Sequence, residues 1–131
     1  MILALMTTDR KHRIRTALDA LFGEGDTDAI APLLKEDFVD RGPGVVASSR
    51  DEWIEAVRRI PSADMKIEIR LLLEDGDHVS MLSRRWLPWE GRWIAVADVW
   101  RFEGDLIAEH VEVFQPIPEA APAPEPHSLM P

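Results

Sequence analysis

The stretch Arg92-Trp93-Ile94-Ala95-Val96-Ala97-Asp98-Val99-Trp100-Arg101-Phe102, then Glu103-Gly104-Asp105, then Leu106-Ile107-Ala108-Glu109-His110-Val111-Glu112-Val113-Phe114-Gln115, decides the fold. Two runs rich in β-branched and aromatic residues, joined by a short turn that contains glycine, read as an antiparallel hairpin. The first run is apolar on both faces apart from Asp98 and Arg101. A strand that is apolar on both faces is covered on both. Helices can cover one face. A second subunit is the natural cover for the other, where Trp93, Ala95, Ala97 and Val99 lie, so a homodimer through the sheet face is expected.

Upstream of this hairpin the period is still two. Met65, Ile67, Ile69, Leu71 and Leu73 alternate with Lys66, Glu68 and Arg70, the pattern of a half-buried strand. Asp75-Gly76-Asp77 turns the chain into a second long strand, His78 to Leu87, and Pro88 to Gly91 turns it again. Earlier still the period is helical. Ile14, Ala17, Leu18, Leu21 and Phe22 share a helix face after a cap at Thr8 or Asp9, and Gly23 and Gly25 end it. A second, shorter helix is expected after Asp26-Thr27-Asp28, with Ile30, Leu33 and Leu34 on one side and Pro32 near its first turn. Phe38-Val39 begins a short extended stretch, and Arg41-Gly42-Pro43-Gly44 is a turn. Ser49-Arg50-Asp51-Glu52 is a capping box that opens a third helix, with Trp53, Ile54, Val57 and Ile60 inward and Pro61 as its stop. Helices followed by hairpin-linked strands give a segregated α+β fold: three N-terminal helices against a curved antiparallel sheet of four or more strands, around a mostly apolar pocket.

The 131 residues suffice for one domain, assigned to residues 1–118, with a Pro/Ala-rich C-terminal tail at 119–131. Fifteen Lys and Arg against 24 Asp and Glu leave a net charge of −9, which disfavours nucleic acid because its phosphates need a basic footprint. There is no cysteine, so disulfide and thiolate chemistry are excluded. The opening Met-Ile-Leu-Ala-Leu-Met lacks the basic residues and length of a signal peptide, and no run reaches the roughly 20 apolar residues of a membrane-spanning helix. A soluble, cytoplasmic protein is expected, beginning at Met1 or Met6.

Candidate chemistry lies in the last hairpin. If Phe102 pairs with Leu106 across a three-residue loop, Asp98 lies opposite His110 and Glu112 is one step diagonal. Two carboxylates and an imidazole then meet in an apolar setting, where desolvation and like charge shift carboxyl pKa values towards neutrality and suit proton transfer. The alternative is one satisfied Asp98–His110 hydrogen bond with Glu112 facing water, and a register slip of one residue would put Asp98 and the His110/Glu112 pair on opposite faces. Of Arg84 and Arg85, one faces inward and could meet a pocket carboxylate or a substrate oxygen. Trp86 and Trp100 are the tryptophans whose parity favours the pocket. No His/Asp/Glu spacing resembles a metal site, and there is neither a Gly-rich phosphate loop nor a Ser or Cys nucleophile motif.

Asp98-Val-Trp-Arg-Phe102 followed by Leu106-Ile-Ala-Glu-His-Val-Glu-Val-Phe-Gln-Pro-Ile-Pro118 resembles the C-terminal signature of SnoaL-like proteins, members of the nuclear-transport-factor-2-like superfamily. Leu33 to Asp40, the Gly-Pro turn and the helix at Arg50–Trp53 fall where that family has its helical hairpin, pocket loop and third helix. The resemblance implies a cone-like α+β fold, commonly dimeric, whose pocket carboxylates act as acid/base groups without a cofactor on small carbonyl compounds, as in polyketide cyclases. It places Glu112 at the acid/base position, Asp98 and His110 in the pocket, and Val111-Glu112 where the family has Trp-Asp. Arg41-Gly42-Pro43 stands for the family's His-Asn-Pro, and Arg41 there could pair with Glu112. The expected site is therefore Glu112, His110 and Asp98 as catalytic groups. Arg41, Trp53, Arg84, Trp86, Trp100 and Phe114 would contact a small-molecule ligand, with no metal and no cofactor. The same pocket suits an enzyme of the cyclase or isomerase type or a non-catalytic binding protein. A structural role, with the cavity filled by its own tryptophans, is the third reading.

Overall fold

A computed structural model of the chain describes residues 10–118; the proposed cap at Thr8 or Asp9 and the tail at 119–131 lie outside the described residues. The long helix α1 spans Arg10–Glu24, but Phe22 (ψ 119°) and Gly23 (φ 104°) have already left helical geometry, so its regular part ends at Leu21. Glycine can adopt that positive φ because it has no Cβ. Ile14, Ala17, Leu18 and Leu21 are the buried stripe, as their spacing requires.

The expected second helix is instead two separate 3₁₀ turns, Thr27–Ala29 and Ala31–Leu33. Pro32 has no N–H to donate back to the carbonyl four residues earlier, so a continuous α-helix loses a bond there. The strand β1 follows at once over Leu34–Arg41, several residues before the expected start at Phe38, and the two-residue β2 is Val46–Ala47. Helix α2, Arg50–Arg58, begins as its capping box predicts, with the Ser49 hydroxyl accepting the Glu52 N–H at 3.1 Å. Four long strands complete the chain: β3 (Lys66–Asp75), β4 (His78–Leu87), β5 (Arg92–Glu103) and β6 (Leu106–Pro116).

The strands form one six-stranded sheet in the order β2-β1-β6-β5-β4-β3, antiparallel except where β1 runs parallel to β6. That parallel pairing sets Asp40 beside His110. The last hairpin differs from expectation in a way that matters. Its turn has two residues, pairing Glu103 with Leu106 and Phe102 with Ile107, and the register then shifts so that Arg101 meets Glu109. Ala108 is the extra residue of a bulge, and Ile107 and Ala108 are consecutively buried there. Beyond the bulge Asp98 lies directly opposite Glu112, and Trp100 opposite His110.

On the concave face β4 presents Val79, Met81, Ser83, Arg85 and Leu87, and β5 presents Ile94, Val96, Asp98, Trp100 and Phe102. The α1 stripe packs onto one end of this face with Phe38, Phe102 and Ile107, all of which are essentially inaccessible to solvent. The other end is less filled, and there the charged residues lie. The convex face carries Trp86 against Trp93 (ring centroids 5.7 Å apart) and the exposed apolar residues Leu73, Val99, Val111 and Val113. Among the described residues no helix is long and apolar enough to cross a membrane. Phe38 ties α2 to the sheet by meeting Trp53 edge to face, with centroids 6.2 Å apart. Phe38→Ala should therefore cost about 3–5 kcal/mol in urea unfolding, with loss of the Trp53 near-ultraviolet signal.

Candidate active site

Between the helices and the concave face lies a cavity of about 310 Å³, walled by apolar groups of α1 (Leu18, Phe22), α2 (Trp53, Val57) and the sheet (Ile94, Phe114). At its inner wall four neighbouring strands contribute one polar group or more: Asp40 from β1, His110 and Glu112 from β6, Asp98 from β5 and Arg85 from β4. Each is on the concave face because strand parity puts it there. For His110 and Glu112 that parity is supplied by the Ala108 bulge; without it Asp98 would face Val111.

The groups are joined without a break. The two amino nitrogens of Arg85 are shared, one donating to Asp98 Oδ2 at 2.7 Å and the other to Glu112 Oε2 at 3.0 Å. The second oxygen of Asp98 lies 2.7 Å from His110 Nε2. His110 Nδ1 lies 3.1 Å from Asp40 Oδ2, which also accepts the Trp53 indole N–H at 2.9 Å, while Asp40 Oδ1 accepts the Gly42 N–H at 2.9 Å. Trp100 stacks on the imidazole, 5.2 Å between centroids and 20° between planes. The remaining oxygen of Glu112 accepts the Gly44 N–H at 3.2 Å. A Cβ on residue 44 would stand 2.6 Å from that oxygen, so only glycine lets the loop come this close.

Burial and charge then set the protonation states. Burial lowers the affinity of His110 for its proton, but hydrogen bonds to Asp40 and Asp98 and their negative charge outweigh it and push the imidazole from 6.5 up to about 9. Burial raises Asp98, yet the Arg85 charge and the bond to His110 hold it below the usual carboxylate range. Glu112 goes the other way. Burial raises it, Arg85 pulls it back, Asp98 pushes it up again, and the result is above the ordinary value. Asp98, His110 and Glu112 place donor atoms within 4.8 Å of one another, the atom types that hold a divalent cation. Arg85 already occupies an oxygen of each carboxylate and both ring nitrogens of His110 face carboxylate oxygens, so a cation would have to displace the guanidinium and compete for the ring. The set does not fit a metal.

Of the residues expected at the site, Glu112, His110, Asp98, Trp53, Trp100 and Phe114 line the cavity. Arg41, Arg84 and Trp86 do not. Arg41 follows the inward Asp40, so it faces outward and pairs with Glu109. Arg84 also lies on the convex face, where it grips Glu68 through two nitrogens at 2.7 and 3.1 Å over the ring of Trp93, and Trp86 shares that face. The inward arginine is Arg85. The alternation of Val79, Met81, Ser83 and Leu87 through β4 contains that phase, and Phe38 with Asp40 in β1 likewise marks Asp40 as inward.

Two outcomes follow from this geometry. The folded-state value of His110 is raised, so its stabilisation is complete below pH 6.5 and is lost as the pH climbs through about 9. Urea unfolding should show stability falling by something on the order of 3 kcal/mol across that window, and His110→Gln should remove most of this slope. In Gly44→Ala the Glu112 carboxyl must swing away. Its arm is flexible, so thermal melts should change little, while a structure of the variant should show Glu112 detached from the 42–45 loop.

A family model for the SnoaL-like domain matches residues 14–110. No curated protein matches the chain. Among solved structures, a protein of unknown function from Burkholderia pseudomallei, described as nuclear-transport-factor-2-like, superposes with a TM-score of 0.72 at 21% identity, covering 82% of this chain and 91% of that one. A candidate ketosteroid isomerase from Kribbella flavida gives 0.71 at 19% identity, with 95% and 88% covered. An LEH-like epoxide hydrolase from M. tuberculosis gives 0.70 at 18% identity, with 83% and 84% covered. At such identities the superpositions speak to the fold, which is the one that this half-filled, bulge-registered sheet builds here. The matched span takes in most of the described chain and four of the five linked ionisable groups at the cavity's inner wall, and the chain belongs to the SnoaL-like domain family.

Proposed function

We propose that the chain is a cofactor-independent acid/base enzyme that takes a small, largely apolar carbonyl compound and catalyses an aldol-type condensation, cyclisation or isomerisation. The observation that carries this reading is Glu112: among the described residues it is the one carboxyl whose surroundings push its pKa upward, and it lines an apolar cavity. A carboxyl of that kind can take a proton from carbon next to a carbonyl and return it elsewhere. Arg85 is the cation in contact with it and offsets the charge that develops at the reacting end. The apolar walls exclude water and select a ligand with little charge.

A second reading, a non-catalytic binding protein, is favoured by one specific observation. Arg85 donates to both Asp98 and Glu112, which neutralises carboxylates in the way a static binding site would. The two readings separate by exchange in deuterium oxide. A panel of small cyclic ketones should lose α-protons in the presence of the wild-type chain, followed by proton NMR. Glu112→Gln should slow this by about 10²–10⁴-fold while melting normally. Ketones that bind without exchanging support the binding protein; no binding by any of them removes both readings.

The convex face is proposed as a homodimer surface, because Val99, Val111 and Val113 stand 39%, 39% and 62% exposed side by side on β5 and β6. Light scattering at micromolar concentration should give twice the chain mass, and Val111→Lys with Val113→Lys should return it to the monomer value. A monomer mass for the unmodified chain rules this out.

A further inference from the structure

Resting on the acid/base reading for its last clause, we propose that Asp40 is a positioning residue: with Asp98 it clamps His110 as a fixed, doubly donating cation, so that proton transfer at the cavity falls to Glu112 and not to the histidine. The sequence pattern marks Asp40 as inward but does not pair it with His110. The structure does, because β1 lies parallel to β6 and brings Asp40 alongside His110.

The ring nitrogens decide the matter. Nε2 faces Asp98 Oδ1 at 2.7 Å and Nδ1 faces Asp40 Oδ2 at 3.1 Å. A carboxylate only accepts, so each of these contacts needs a proton on the nitrogen, and a neutral imidazole has one proton for two places. Both nitrogens are therefore N–H donors. The ring then has no lone pair to take a proton from a substrate, and giving one up would set a bare nitrogen against a buried carboxylate. Every charged group against the ring is accounted for: Asp40 on β1, Asp98 on β5, with Arg85 of β4 and Glu112 of its own strand one contact further along. Helix α2 contributes no charge there but supplies Trp53.

Asp40 is itself held from three directions, by the Trp53 indole, the Gly42 backbone N–H and His110, and it is 3% exposed. Trp53 is in turn fixed edge-on to Phe38. The clamp is thus anchored to α2 and to the loop that also carries Gly44 to Glu112. Through Asp98 it also fixes one side of the Arg85 guanidinium, whose other side holds Glu112. A role limited to shaping the loop would need the Gly42 bond alone, which an asparagine at position 40 can keep.

The test is NMR of the histidine rings in the isotope-labelled full chain, where 4 histidines give internal comparison. In the wild-type chain both ring nitrogens of His110 should show the protonated signature at pH 7, with loss only near pH 9, while a solvated histidine titrates near 6.5. Asp40→Asn should lower the His110 midpoint by about one pH unit or more, a tenfold or greater loss of proton affinity. Should that variant not fold, the wild-type Asp40 carboxyl carbon gives the answer, because its shift should move at the His110 midpoint. A His110 that titrates near 6.5, an unchanged midpoint in Asp40→Asn, or an Asp40 carbon silent at that midpoint overturns the proposal. No substrate is used, so this result stands apart from the exchange experiment on Glu112.

Discussion

Five ionisable groups are linked at the inner wall of an apolar cavity, and the constraint governing the structure is that buried charges there must be paired. Arg85 lies between Asp98 and Glu112, and His110 between Asp98 and Asp40. Removing Arg85, His110, Asp98 or Asp40 leaves an unpaired charge where water cannot screen it, a penalty of several kcal/mol. This explains why four strands converge on one patch, why a loop backbone reaches down to Glu112, and why one carboxyl is pushed up while its neighbour is held down. With Arg85 and His110 positive and Asp40 and Asp98 negative, the uncompensated member is Glu112. It is also the one whose surroundings push its pKa upward.

The network exists only because of sheet register. A regular two-residue hairpin would have turned His110 and Glu112 to the convex face and left Arg85 and Asp98 alone inside. One extra residue, Ala108, restores the phase. The bulge lies where β6 passes from the packed end of the cone, with Ile107 in the core, to the open end, with Phe114 at the cavity. The same strand therefore serves stability in its first half and the site in its second. Helix α1 fills the first end and leaves the second empty, which is how a chain with ample apolar residues still keeps a cavity.

Much of this was legible in the sequence. The four long strands, the capped helix opening at Arg50 and the helix ending before Gly23 followed from periodicity and from residues with special backbone demands. That Asp98, His110 and Glu112 come together was legible too, through their parity and through the resemblance of Asp98–Pro118 to the SnoaL-like signature, although the assumed pairing differed from the real one. The helix expected across Pro32 was not formed, because proline withholds the bond that would have joined the two turns. Arg41, Arg84 and Trp86, expected in the pocket, lie outside it. Each sits next to the residue that faces inward, and in a strand an error of one position is an error of face.

Sequence by itself determined the fold class, the segregation of helices from strands, the acidic surface and the concentration of chemistry in the final hairpin. These depend on local preferences and on period, which neighbouring residues carry. Only the tertiary structure decided that Arg85 bridges Asp98 and Glu112, that Asp40 reaches His110 and that Asp98 faces Glu112. Those facts depend on a bulge and on a parallel strand contact between segments some seventy residues apart in sequence. Non-local pairing leaves no period in the chain, because the ladder hydrogen bonds and side-chain burial that fix it appear only once the strands are side by side.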